Sequence, residues 1–418
     1  MSISPTLQTL KGFRDFLPAE KRLRDLVADK IKQTFQKFGF EPLETPTLEY
    51  AELLLGKYGA EADKLVYTFS DRGDRQVGLR YDQTVPTARV LAQYQHLLPK
   101  YFRRYQIQNV FRADKPQKGR YREFTQCDAD IFGSQAALAD AEILACVFEI
   151  FQNVGLTEAV IAINDRQSLF AVLSPFATSL VSISSIIQSI DKLDKVSPET
   201  VIAELIAKGL ETTAATSVIA ELGKAAISDN LSDIVQKTIS LGVPAEKLKF
   251  TPSLARGLDY YTGMIFEINL AESEFGSLGG GGRYDHLISQ LGGPDIPAVG
   301  FGLGFDRIVE AVKAKNLGTE NTLATQVLVT IFDAALTQPA LIAARVLRAT
   351  GLRTEIFPSP DKLSKQFKYA DTKQIPWAII IGETEASQNQ VSLKNLKTGA
   401  QTSLTLEAAV SQITQSSI

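Results

Sequence analysis

The chain predicts a mixed α/β protein of two domains, and three observations carry that reading. A hairpin with a long charged turn is written between Ile107 and Phe132, a run of helical patterns occupies about 174–242, and residues from 327 onward alternate strand and helix. At 418 residues with 44% apolar content, the chain is too long for one core and rich enough for two. The expected division is residues 1–325, interrupted by the helical insertion, and 326–418.

From Pro18 to Phe38 the apolar residues Leu23, Leu26, Val27, Ile31, Phe35 and Phe38 recur at three and four, and Gly39 is a natural stop, so this stretch predicts an amphipathic helix. Phe40 to Pro46 predicts a short strand ending at a proline, and Gln76 to Asp82 another, alternating apolar and polar. Strands around Ile107 to Arg112 and Asp128 to Phe132 flank the polar loop Ala113 to Arg122. Leu138 to Val154 has helical periodicity, and Glu158 to Asn164 is a strand. The insertion is rich in alanine, serine and isoleucine, with breaks at Pro198, Gly209, Gly223 and Gly242. Met264 to Asn269 returns to strand, Phe305 to Lys315 to helix, and Asn316 to Thr325 forms a polar linker. Val327 to Phe332, Leu336 to Ala349, Arg353 to Phe357, Leu363 to Gln374 and Trp377 to Ile381 then alternate strand and helix as a small α/β domain.

Composition narrows the function classes. A net charge of −3 gives no overall basic field, so any nucleic-acid binding must come from local patches. Two cysteines, Cys127 and Cys146, make no disulfide framework, and two histidines without a paired-cysteine motif make no recognisable zinc site; a reducing cytoplasm is the expected setting. The uncharged stretch Gln167 to Ile190 is broken by seven serines, Thr178 and Pro175, so no membrane span is expected.

The chemistry concentrates in Arg256-Gly257-Leu258-Asp259-Tyr260-Tyr261 and Gly279-Gly280-Gly281-Gly282-Arg283-Tyr284-Asp285, read with Phe111-Arg112 and Asp306-Arg307. Guanidinium groups suit oxyanions through permanent, bidentate contacts, and tyrosine hydroxyls bond heteroaromatic rings, so the set points to a site for a triphosphate and a small polar ligand. The glycine tetrad alone reads as a turn, but with Arg283-Tyr284-Asp285 behind it a ligand loop is expected. Gly300-x-Gly302-x-Gly304 lacks the spacing of a dinucleotide fingerprint and reads as close strand-helix packing. Cys127 reads as a small buried hydrophobe, and His96 and His286 as surface or supporting residues.

In chain order, the helix and strand ending in Thr45-Pro46, the hairpin from Phe111-Arg112 to Phe124, and Gly302-Leu303-Gly304-Phe305-Asp306-Arg307 resemble the three motifs of class II aminoacyl-tRNA synthetases. Within that class the Arg256 to Tyr261 and Gly281 to Asp285 stretches look like the two signatures of the histidyl-tRNA synthetase family. The resemblance runs from about Gly12 through the C-terminal unit. It implies an antiparallel-sheet catalytic core, a C-terminal anticodon-binding domain, a homodimer, and ATP-dependent joining of histidine to tRNA(His).

The resemblance also implies roles residue by residue. Arg112 and Arg256 are expected to hold the α-phosphate and the attacking carboxylate, with Arg120 and Arg307 on the distal phosphates, Phe124 against adenine and Mg2+ bridging the phosphates. Asp130 and Tyr261 are expected on the imidazole of L-histidine, Asp82, Thr84 and Gln126 at its α-amino end, and Tyr284 closing the pocket. Asp82 and Asp130 stand where glutamates are common in bacterial members, and Leu79 to Pro86 looks like the eukaryotic and archaeal branch. Gln117 and Lys118 are expected at the tRNA acceptor end, and Lys362, Lys365, Lys368 and Lys373 at phosphates elsewhere on the tRNA. Two rival readings stand beside this one. The first is a non-catalytic histidine-binding regulatory paralogue of histidine biosynthesis; such proteins typically lack Arg256 and the C-terminal domain. The second is a sensor of uncharged tRNA, usually fused to a kinase.

Overall fold

A computed structural model of the chain describes residues 7–55, 63–117, 119–255, 260–270, 276–290, 292–318 and 324–415. It falls into two compact units, Met1–Thr319 and Glu320–Ile418. The strands of the first unit are, in chain order, β1 (Glu41–Pro42), β2 (Leu48–Tyr50), β3 (Thr68–Ser70), β4 (Gln76–Leu79), β5 (Phe102–Phe111), β6 (Glu123–Phe132), β7 (Val160–Asp165), β8 (Leu248–Phe250), β9 (Met264–Asn269), β10 (Gly279–Arg283) and β11 (Ala298–Gly304).

Eight of these form one sheet in the order β1-β5-β6-β11-β10-β9-β7-β8, antiparallel except where β1 meets β5 and β8 meets β7. The predicted hairpin is its spine. Its strands are longer than the sequence indicated, pairing Phe102 with Phe132 at one end and Phe111 with Glu123 at the other. The outer half of each strand escaped notice because Arg103, Arg104, Gln106 and Gln126 are polar yet lie within the sheet.

Alternation along each strand separates two faces. Tyr105 on β5, Cys127, Ala129 and Ile131 on β6, Val299, Phe301 and Leu303 on β11, and Phe266 and Ile268 on β9 all enter one buried cluster. Helices cover that face. The first, Pro18–Lys37, starts with proline in its first turn and has Glu20 at its positive end and Lys37 at its negative end. It buries Val27, Ile31 and Phe35, four residues apart, and Gly39, at φ +72°, reverses the chain so that the Phe40 amide reaches the Phe35 carbonyl. Each such fully buried side chain contributes roughly 1.5–3 kcal/mol. The helices Ala137–Asn153 and Phe305–Ala314 supply Ile143, Leu144, Val147, Ile150, Ile308 and Val312 to the same cluster.

The helical insertion is present, with shifted limits. Helix Arg166–Leu173 already belongs to it, since Leu169 and Leu173 pack with Ile186, Val201, Leu205, Val218 and Leu222 in a separate cluster. Helix Asp229–Ser240, expected inside the insertion, instead sends Leu231 and Ile234 into the main core. No helix among the described residues is long and apolar enough to cross a membrane. The Gln167 to Ile190 stretch breaks into short helices, with Pro175 and Ser182 at their starts.

The second unit holds β12 (Val327–Val329), β13 (Thr354–Ile356), β14 (Trp377–Ile380), β15 (Val391–Asn395) and β16 (Gln401–Leu404), in the order β13-β12-β14-β15-β16. The first three are parallel, as the strand-helix alternation requires. The two antiparallel strands that follow, and helix Leu406–Gln415, were not anticipated.

Candidate active site

The face opposite the main core carries the site. On β6 the side chains of Gln126, Asp128 and Asp130 share this face, while Cys127 and Ala129 point into the apolar cluster. Across from them the register sets Gly304 against Gln126, Gly302 against Asp128 and Gly300 against Asp130, and beyond these Gly280 against Gly302 and Gly282 against Gly300. The glycine tetrad is therefore an interior strand of the sheet, not a ligand loop, and Gly300-x-Gly302-x-Gly304 is not there for strand-helix packing. A Cβ on Gly300 would lie 1.9 Å from Asp130 Oδ1, one on Gly302 2.9 Å from Asp128 Oδ1, and one on Gly282 3.0 Å from the Tyr261 ring. The glycines form a floor without side chains, onto which acidic and aromatic groups lean from both sides.

A cavity of about 590 Å3 opens on this floor, lined by Asp82, Thr84, Arg112, Gln126, Asp128, Asp130, Tyr260, Tyr261 and Tyr284 with Gly280, Gly300 and Gly302. All six residues expected around a histidine meet here. Asp82 and Thr84 arrive at the start of helix Thr84–Tyr94, where Asp82 Oδ1 accepts from the Val85 amide at 3.3 Å. That turn is fixed by Arg80, buried and donating to the carbonyls of Asn109 at 2.6 Å and Thr45 at 2.8 Å, and by Gln83, donating to those of Gln108 and Gln126. Thr45, noticed only as the end of a strand, is thus one of the props of the site.

Asp130 is almost wholly buried. Arg104 Nη2 lies 2.5 Å from its Oδ2, and the Tyr284 hydroxyl donates to its Oδ1. Burial raises the carboxyl's pKa, opposed by Arg104 and Tyr284. Burial also raises the hydroxyls of Tyr260, Tyr261 and Tyr284, so all three stay protonated donors at neutral pH. Tyr260, expected only as support, lines the cavity, its ring 4.8 Å from that of Tyr261 and 5.8 Å from that of Tyr284. Arg283 faces away, binding Asp140 and, at 3.0 Å, Asp285; it anchors β10. Arg104 and Asp128 were missed: nothing marks a single arginine or aspartate inside a strand until the register of that strand is known.

Arg112 belongs to both this cavity and a second one of about 710 Å3, lined by Asp114, Gly119, Arg120, Tyr121, Phe124, Gly304, Asp306 and Arg307. Arg112 sits with its guanidinium 4.3 Å from the Tyr81 ring and 5.1 Å from the Phe124 ring, and its Nε donates to the Tyr81 carbonyl at 3.2 Å. Arg307 donates to the Ser277 carbonyl at 2.7 Å, and Arg120, exposed on the loop, is 3.7 Å from Asp114. Asp306 supports the wall: it takes Arg14 at 2.5 Å, Arg24 at 2.7 Å and the Thr125 amide at 3.0 Å. The Arg14 guanidinium covers the Tyr121 ring at 3.2 Å.

Gln117 lies on the exposed turn closed by its backbone bonds with Arg120; the Gly119–Arg120 side of that turn lines the second cavity, and Gln117 itself is in neither lining. Arg256 and Asp259, like Lys118, lie outside the described residues. Of the C-terminal lysines, Lys365 is 3.1 Å from Asp361, and Lys373 donates to Glu355, which raises its pKa. His96 is exposed, and His286 Nδ1 is 3.7 Å from Asp295, outside either lining. Cys127 and Cys146 are free and buried, their thiols pushed up by that burial.

The two cavities differ in charge. Among the described residues one has three carboxyl groups beside Arg112, Asp130 of these already paired with Arg104; the other has three arginines, and one of its two carboxylates is taken by Arg14 and Arg24. An ammonium group suits the first and a polyphosphate the second.

Comparison with known proteins agrees in kind. A family model described as histidyl-tRNA synthetase matches residues 12–308, and one for an anticodon binding domain matches 326–416. The chain is 37% identical over 446 residues to the histidine–tRNA ligase of Cytophaga hutchinsonii, covering 96% of this chain and 98% of that one. It is also 37% identical to that of Gloeobacter violaceus, covering 96% and 97%. The crystal structure of a histidyl-tRNA synthetase from Nostoc superposes with a TM-score of 0.86 at 31% identity, covering 99% of this chain and 100% of that one. A Bacillus halodurans structure described as an ATP phosphoribosyltransferase regulatory subunit/histidyl-tRNA synthetase superposes at 0.75 with 23% identity, a likeness of fold alone.

Proposed function

The chain belongs to the histidyl-tRNA synthetase family and is a histidine–tRNA ligase, and we propose that its two adjoining cavities divide the first half-reaction between them. Histidine plus ATP gives histidyl-adenylate and pyrophosphate, and the histidyl group then passes to the 3′ end of tRNA(His). The observation that carries the division is the opposed charge of the cavities and the cation that, among the described residues, they share, Arg112.

In this reading the acidic cavity holds the amino acid. Asp82, Thr84 and Gln126 take the α-ammonium, and Asp130, Tyr261 and Tyr284 take the imidazole. Arg104 and Tyr284 hold Asp130 in place, so the ring meets a fixed acceptor. A site built from directed hydrogen bonds rejects amino acids that leave those groups unpaired, by factors of roughly 10⁴–10⁵. The basic cavity holds ATP, with Phe124 against adenine and Arg120 and Arg307 on the outer phosphates.

The substrate carboxylate and the α-phosphorus must meet where the cavities meet, and both are negative. Arg112 stands there. Its guanidinium is held by the Tyr81 carbonyl and two rings, so it needs no reorganisation as charge develops; a preorganised donor of this kind contributes on the order of 10²–10³ in rate. Arg256 is proposed to share this work, as the family resemblance implies. Mg2+ would travel on the phosphate oxygens and neutralise their charge. Neither Asp306, committed to arginines, nor Asp114 builds a cage for it, and no group of three metal-ligating side chains occurs among the described residues.

The second half-reaction calls for tRNA, which the anticodon-binding match at 326–416 supports and a purely regulatory histidine binder does not need. Gln117 and Lys118 are proposed to meet the acceptor end of the tRNA, and the protein is proposed to act as a cytoplasmic homodimer. The test is amino-acid-dependent exchange of pyrophosphate into ATP, followed by charging of tRNA(His). Exchange with histidine and charging of that tRNA support the reading, and exchange driven equally by another amino acid would sink the pocket assignment.

A further inference from the structure

We propose that Asp128 is a further recognition residue of the amino-acid pocket, a carboxyl that accepts one of the proton-bearing nitrogens of bound histidine. This rests on the pocket reading above and adds to it a residue that the motifs do not single out.

Asp128 lies in the middle of the row Gln126, Asp128, Asp130, on the cavity side of β6, and only 5% of its surface is exposed. Its neighbour Asp130 accepts from the Tyr284 hydroxyl at Oδ1, and its Oδ2, without a hydrogen bond among the described residues, is held in an ion pair by Arg104. Asp128 Oδ1 has no hydrogen-bond partner among the described residues, and neither has Gln126 Oε1 beside it. A buried acceptor without a donor is costly, and an aspartate kept for packing would have found one. Gly302 keeps the space over it clear, since a Cβ there would come within 2.9 Å of Oδ1. The two unsatisfied acceptors thus face a cavity whose ligand brings donors: an ammonium with three and an imidazole with one or two.

The charge around it has the same sense. Burial, with Asp130 and Asp82 adding to it against Arg104 and Arg112, pushes the Asp128 carboxyl up to about 8; Tyr261, also facing it, stays protonated. The empty pocket therefore holds Asp128 protonated at neutral pH, and a bound cation displaces that proton. Binding is then accompanied by proton release and strengthens as pH rises toward 8.

The test uses Asp128→Asn, which keeps the shape and loses the charge. In pyrophosphate exchange, KM for histidine is expected to rise at least tenfold at pH 8 while KM for ATP stays within twofold, and the rise of kcat/KM for histidine between pH 7 and 8 should disappear. Calorimetry of histidine binding at pH 7 in buffers of different ionisation enthalpy gives a second readout: proton release in the parent, none in the variant. Histidinol and imidazolepropionate as inhibitors identify the nitrogen. Weaker inhibition by histidinol alone assigns the ammonium, and weaker inhibition by both assigns the ring. An Asn variant with the parent's KM, pH profile and proton release overturns the proposal, as does a parallel rise in both KM values. A parent that shows no histidine-dependent exchange would instead overturn the pocket reading on which it rests.

Discussion

Replacing Gly300 by alanine adds one methyl group, and the structure specifies what it strikes. The new Cβ would sit 1.9 Å from Asp130 Oδ1, 2.5 Å from its Cγ and 2.7 Å from the Ala129 carbonyl oxygen. Ordinary contact needs about 3.5 Å, so the carboxylate must retreat by roughly 1.5 Å or the strands must part. The backbone oxygen belongs to the adjoining strand of the sheet and has little room to yield. Retreat of Asp130 breaks its contacts to Arg104 and Tyr284. Overpacking costs about 1–3 kcal/mol and disrupting a buried charge pair about 3–5 kcal/mol, so partial relaxation should leave a stability loss of about 2–4 kcal/mol. Losing the oriented imidazole acceptor should weaken histidine by at least a hundredfold, about 2.7 kcal/mol, with KM for ATP little changed. Denaturant unfolding and the histidine dependence of pyrophosphate exchange measure the two effects. If Gly300→Ala keeps KM for histidine within threefold of the parent, the glycine floor is not what positions Asp130, and the reasoning fails.

Gly223 is exposed in helix Thr212–Lys224, has no positive φ and has nothing within 4 Å of a would-be Cβ, so Gly223→Ala should raise stability by about 0.5–1 kcal/mol in chemical denaturation with exchange activity unchanged. Asp128, whose carboxyl is raised from 3.8 to about 8 in the fold, favours the folded state below 3.8 and withdraws that support as pH rises through 8, by up to about 1.4 kcal/mol per pH unit. Without ligand, Asp128→Asn should therefore be more stable than the parent at pH 8, and the gap should narrow toward pH 5 in urea titrations; a gap independent of pH would refute this.

Much of the fold was legible because its periodicities are local. Pro18 to Lys37 declares its buried face at every turn, and the charged loop between Phe111 and Glu123 forces a hairpin. Residues whose meaning depends on what lies across the sheet were less legible. Gly279 to Gly282 looks like a turn in one dimension; only beside Gly300, Gly302 and the β6 carboxyls does a strand of glycines make physical sense. Arg104 and Asp128 escaped for the same reason, since a polar side chain within a strand looks exposed until the opposite face proves to be a pocket. Helix Asp229–Ser240 was placed with the insertion because its sequence resembles its neighbours, yet Leu231 and Ile234 follow tertiary packing into the main core. The residues expected around the two ligands did converge, Asp82 with Asp130 and Tyr284, Arg120 with Arg307, because β6, β11 and β10 adjoin in one sheet and Arg80 and Gln83 tie the turn that carries Asp82 to the hairpin.

We propose that the acidic and the basic cavity share Arg112 at the point where carboxylate and phosphate react. Steady-state pyrophosphate exchange by Arg112→Ala, with histidine and ATP varied independently, tests it most directly. A fall in kcat of about 10²–10³ with each KM changed less than tenfold is predicted for a group that acts on the transition state. A loss confined to the KM of one substrate would instead confine Arg112 to one cavity and rule out its action between them.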